Sequence, residues 1–191
     1  MNRKIIIDEK PNKPIFPSFR GKFRSNLQFI KSASATSVSS LQITNCFNAN
    51  YDVYKVIIDN DNGSNNDLYI RVINNSNTVI SSGSKYDYAN YELNSNASFG
   101  QNRNTGFNEF RGIGYQASSD AGTVAYFFNP YNSSHYTFVQ SQTASFYQSG
   151  QMRAGKSVGV YKNTDIITGL EINEVSSDFN FINVSVYGMK K

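Results

Sequence analysis

At 191 residues the chain fits one domain with an appendage, long enough to bury one sizeable core. Its 13 Tyr and 14 Phe, with no Trp and 17% charged residues, suit half-buried strands joined by Asn- and Ser-rich turns and exclude a helical bundle. The net charge of +4 does not mark a nucleic-acid domain: eight Lys/Arg against Asp8 and Glu9 place +6 in residues 1–31 and leave −2 over the remainder.

The first element in chain order is a basic arm, residues 1–26. Its stretch KPNKPIFPSFRGKFR holds Pro11, Pro14 and Pro17, which lack the N–H that a helix or ladder uses, so the arm is expected to be extended. Ile and Phe anchors alternate with cations along it. Lys10, Lys13, Phe16, Phe19, Arg20, Lys22, Phe23 and Arg24 form the candidate anchoring set, suited to an acidic, partly apolar protein surface. The dense basic run of a nucleic-acid tail is missing, so no nucleic-acid partner is expected. No stretch approaches the ~18 apolar residues of a membrane span, and the N-terminus has no long apolar core of a signal peptide, so a soluble protein made in the cytoplasm is expected, without membrane insertion.

Residues 27–191 read as a single β-sandwich domain. Strand patterns run through LQFIK (27–31), VSSLQIT (38–44), YKVIID (54–59), LYIRVI (68–73), YDYANYEL (86–93) and FNEFRGIGYQ (107–116). They continue through TVAYFF (123–128), YTFVQ (136–140), ASFYQ (144–148), SVGVY (157–161), DIITGLEI (165–172) and FNFINVSVYG (179–188). Between them lie turn clusters such as DNDNGSNND, NSNASFGQNRNTG and NPYNSS. Short strands at this spacing predict an antiparallel sandwich or barrel. In LYIRVI, Leu68, Ile70 and Val72 alternate with Tyr69, Arg71 and Ile73; in the last strand Ile182, Val184 and Val186 make one apolar face. The Gly112–Ile113–Gly114 triplet predicts a bulge or close packing.

The lone Cys46 admits no intrachain disulfide and reads as a buried hydrophobe; the lone His135 reads as a loop residue. Neither builds a metal site, and no cofactor is expected. Gly150–Ser157, GQMRAGKS, matches the phosphate-loop pattern G-x-x-x-x-G-K-[ST]. A working loop needs a buried strand before it and a helix N-terminus after it. Upstream stands polar TASFYQS and downstream VGVYKNTDIITG, a strand and turn, so the expectation is a glycine-bearing turn leading into a strand, with Lys156 solvated and no nucleotide bound.

Four stretches taken in order, ITNCFNANYDVYKVIID (43–59), LYIRVI leading to YDYANY (68–91), VYKNTDIITGLEI (160–172) and FINVSVYGMKK (181–191), carry a likeness. Through them the chain resembles the small jelly-roll virion proteins of tailed, especially marine, bacteriophages, decoration or fibre-like in kind. That resemblance implies an all-β, antiparallel two-sheet jelly roll, a place on the virion and no catalytic residues. The resulting expectation is a non-enzymatic structural protein anchored by its arm to capsid or tail proteins and self-assembled as a trimer. The alternative is a carbohydrate-binding adhesin for host surface glycans, with Tyr86, Tyr88 and Tyr91 as candidate glycan or subunit contacts. A polysaccharide hydrolase would need two carboxylates at a fixed separation, and Asp52, Asp59, Asp87, Glu92, Glu109 and Glu171 form no recognisable pair in the sequence.

Overall fold

A computed structural model describes residues 26–61, 67–115, 121–146, 150–174 and 178–190. Residues 1–25, and with them all eight candidate anchoring residues from Lys10 to Arg24, lie outside the described residues. The described chain is all-β, with strands β1 (Leu27–Val38), β2 (Ser40–Ile43), β3 (Val53–Asp61), β4 (Asp67–Asn74), β5 (Tyr86–Asn94) and β6 (Phe99–Phe107). There follow β7 (Phe110–Tyr115), β8 (Ala121–Phe128), β9 (Thr137–Phe146), β10 (Met152–Tyr161), β11 (Ile167–Asn173) and β12 (Phe179–Met189).

Two antiparallel sheets face each other. The larger has eight strands in the order β1-β12-β3-β8-β9-β10-β5-β6, and the smaller has four, β2-β11-β4-β7. Set β5, β6, β9 and β10 aside, and the chain visits the sheets in the order large, small, large, small, small, large, small, large. That alternation, with each sheet ordered as observed, is the double Greek key of a jelly roll. The two hairpins set aside, β5–β6 and β9–β10, interrupt this path and pair with each other through β10 and β5, extending the large sheet sideways as a wing.

Alternation explains the core. Ile182, Val184 and Val186 on β12, Val56 and Ile58 on β3, and Leu68, Ile70 and Val72 on β4 are all fully buried between the sheets, as their period of two dictates. Ile73 departs from the alternation and is buried on the other side of β4, where Val79 bridges to it. Cys46 and Phe47 plug one end of the core, and burial pushes the Cys46 thiol up to about 12, so it is an inert filler.

Several expected boundaries shift. Residues 137–140 of YTFVQ and 144–146 of ASFYQ belong to one strand, β9, because its middle residues Ser141–Gln142–Thr143 keep pairing on both sides although they are polar. NSNASFGQNRNTG is not all turn: Phe99–Phe107 forms β6, the exposed edge of the wing. Gly112 has φ 63 within an irregularity of the β4–β7 register, and a Cβ there would stand 2.1 Å from Asn90 Nδ2, so the triplet is both a bulge and a close approach.

Tyr86 is fully buried; its hydroxyl donates to the Ile80 carbonyl at 2.7 Å and accepts from the Val72 N–H at 3.1 Å. It is therefore a core residue and no surface contact, which corrects the expectation that it serves with Tyr88 and Tyr91 as a glycan or subunit contact. Removing the hydroxyl in Tyr86→Phe strands a donor and an acceptor, and an expected loss of about 2 kcal/mol should appear in urea unfolding with an unchanged m-value.

Candidate functional site

The wing has inverted polarity. On its inner side, under β7, β9 contributes Ser141, Thr143 and Ser145, β10 contributes Arg153 and Ser157, and all five are buried. On its outer side β9 and β10 expose Phe138, Phe146, Met152 and Val158, while β5 and β6 expose Tyr91, Leu93 and Phe99. A free-standing domain ordinarily buries the second set and solvates the first, so the wing's outer face is the surface of this molecule that most calls for a partner.

The inner side satisfies most of its polar groups locally. Arg153, 7% exposed, donates from Nε to Glu92 Oε2 at 2.7 Å, contacts the same oxygen through Nη2, and reaches Asp67 Oδ1 at 3.3 Å. Burial pushes the Asp67 carboxyl above its usual 3.8, outweighing the pull of the Arg153 guanidinium in the other direction. Ser157 Oγ donates to the Gly112 carbonyl, and Thr123 Oγ1 bonds Thr143 Oγ1 at 3.0 Å. Among the described residues the Ser141 and Ser145 hydroxyls have no partner, and neither has the fully buried amide of Asn60 on β3.

The Asp67 shift has a signed consequence. Because its folded value is raised, the folded state holds the proton more tightly than the unfolded chain; the group favours folding at acid pH, and that contribution is lost as pH rises through the raised value. Asp67→Asn removes this slope. Its melting temperature relative to the parent should therefore rise as pH climbs from about 4 through the raised value. Parallel melting profiles across that window would contradict the assignment.

A second ionic ladder crosses the outside of the small sheet. Gln42 Nε2 donates to Glu171 Oε1 at 3.0 Å, Arg71 bridges Glu171 at 3.2 Å and Glu109 at 2.7 Å, and Arg111 closes on Glu109 at 2.9 Å. Arg111 also lies 4.6 Å from the Tyr69 ring centroid and 4.3 Å from that of Phe107. Three of the six acids named from sequence are thus drawn into arginine pairs: Glu92 by Arg153, Glu109 and Glu171 by Arg71. Asp87 binds Lys162 Nζ at 2.8 Å, which holds its carboxyl below the usual range.

The phosphate-loop string falls in the middle of β10. Gly155, Lys156 and Ser157 pair with Thr143, Gln142 and Ser141 on one side and with Glu92, Tyr91 and Asn90 on the other. No helix follows, so no converging N–H groups exist to cradle a phosphate. The expected turn is confined to the residues before Met152, and Lys156 is a half-buried residue of the outer face rather than a fully solvated one. His135 is exposed in the loop before β9.

Of the three tyrosines named from sequence, Tyr86 and Tyr88 point inward and are buried, and only Tyr91 stands on the outer face, 41% exposed. Its ring lies nearly parallel to that of Phe99, 63% exposed, with an interplanar angle of 21° and centroids 6.0 Å apart. Shallow depressions flank the pair: one of about 460 Å3 includes Tyr91, Phe99, Gln101, Lys156 and Val158, and one of about 610 Å3 includes Arg103, Phe138 and Val158. Phe99, Gln101 and Arg103 escaped sequence reading because they sit in a stretch taken for a turn; their spacing of two was the available signal. No protein-family model matches the chain, and no curated protein or solved structure matches it either.

Proposed function

We propose that the protein is a non-enzymatic structural component of a tailed-phage virion, a jelly-roll module displayed on the particle and anchored to capsid or tail proteins by residues 1–26. The observation that carries this reading is where the four resembling stretches fall. They cover the end of β2 with β3, then β4 through the start of β5, then the end of β10 with β11, and finally β12, so they coincide largely with strands of the jelly roll itself. The arginine pairs support a structural role, since each of these carboxylate pairs shares a guanidinium instead of facing a substrate. Self-assembly as a trimer belongs to the same reading, with β1 and β6 the edges of the large sheet among the described strands.

Antibody labelling of intact particles tests the location. Deleting residues 1–26 is expected to leave the melting temperature of the body nearly unchanged and to abolish incorporation into particles. Normal occupancy by the truncated protein would refute the anchoring role, and a monodisperse monomer of the full chain in light scattering would refute the trimer.

A further inference from the structure

The outer face of the wing carries two cations without a counter-ion. Lys156 on β10 and Arg103 on β6 make no hydrogen bond or ion pair among the described residues, whereas Asp87 on the same face is neutralised by Lys162. Around them stand the near-parallel rings of Tyr91 and Phe99 and the amides of Gln101 and Gln142, with Gln142, Lys156, Tyr91 and Gln101 forming one continuous row across four strands.

We propose that this face binds an extended acidic polysaccharide, with sugar rings lying on Tyr91 and Phe99 and carboxylates meeting Lys156 and Arg103. Flat apolar rings match the C–H faces of pyranoses, and amides match their hydroxyls. Lys156 and Arg103 stand two strands and two residues apart, about 12 Å between Cα positions, which favours a repeating polyanion over one small anion. Two cations are too few for a nucleic acid, which presents a charge every ~3.4 Å along a strand. A lysine at the centre of the face is also unlike the core of a protein–protein interface, where lysine is depleted. The chain's own arm is no better an occupant, because it is basic as well. The proposal goes beyond the virion reading and does not depend on it.

Titration calorimetry of the full chain with alginate oligomers tests it, with dextran oligomers as the neutral counterpart and oligo(dT) as the polyphosphate. Alginate should bind at least tenfold more tightly than dextran or oligo(dT), and more weakly as salt rises. Lys156→Gln, Arg103→Gln and Tyr91→Ala should each weaken binding at least tenfold with unchanged circular dichroism, while Lys55→Gln on β3 should not. The proposal is overturned by absence of alginate binding, by binding that survives the Lys156→Gln/Arg103→Gln double variant, or by equal binding of oligo(dT). Concentration-dependent self-association that Tyr91→Ala abolishes would overturn it too, by giving the face to a second copy.

Discussion

Arg153→Ala is expected to cost about 3–5 kcal/mol and to lower the melting temperature by about 10 °C, because it leaves two partly buried carboxylates facing each other without their shared cation. Arg153 is 7% exposed, and Glu92 and Asp67 reach it from β5 and from the start of β4. The loss comes from the orphaned charges more than from the bonds, so neutralising them in Arg153→Ala/Glu92→Gln/Asp67→Asn should recover a large part of it. Equilibrium urea unfolding reads both quantities. A single-variant loss within about 1 kcal/mol would mean that water reaches the cluster and that the ion pairs contribute as little as surface ones do.

The second large effect is expected where β7 joins the wing to the jelly roll. Phe110 on β7 is fully buried and meets Tyr86 edge to face, with centroids 4.8 Å apart. It fits against β10 because residue 159 is glycine: a Cβ there would stand 2.6 Å from Phe110 Cδ1 and 3.0 Å from Val139 Cγ1. Phe110→Ala should cost about 3–5 kcal/mol by opening a cavity, and Gly159→Ala about 1–3 kcal/mol by overfilling the same place. The two should not add. With Phe110 truncated, the new methyl meets open space on that side, so the double variant should be more stable than the sum of the single losses by a coupling energy of about 1 kcal/mol or more. Strict additivity would show that the two residues do not share one packing site.

The jelly-roll strands were legible because burial on one face imposes a period of two, as LYIRVI and FNFINVSVYG show. The wing was less legible for a physical reason. Its inner side is Ser, Thr, Arg and Asn, so β9 loses its apolar signal at Ser141–Thr143, and β6 is an edge whose residues are held by pairing with β5 instead of by burial. The arginine clusters were hidden because their members are distant in sequence: Glu92 and Arg153 are 61 residues apart, Arg71 and Glu171 100 apart. The phosphate-loop string misleads in the opposite way, since a short local pattern says nothing of the strands that flank it in space.

The place of β12 in the large sheet bears on when the protein becomes itself. β1, the first described strand to be synthesised, has β12, the last, as its only neighbour in that sheet among the described strands, and the register joins Leu27 to Met189. While translation is under way, β1 has no ladder to enter, and β3 has lost one of its two sides. The large sheet therefore closes only after the whole described chain has left the ribosome, and closing so long a loop makes folding slow. The nascent chain spends that interval with strand edges unprotected, a window in which a chaperone or a neighbouring nascent copy can pair with them first.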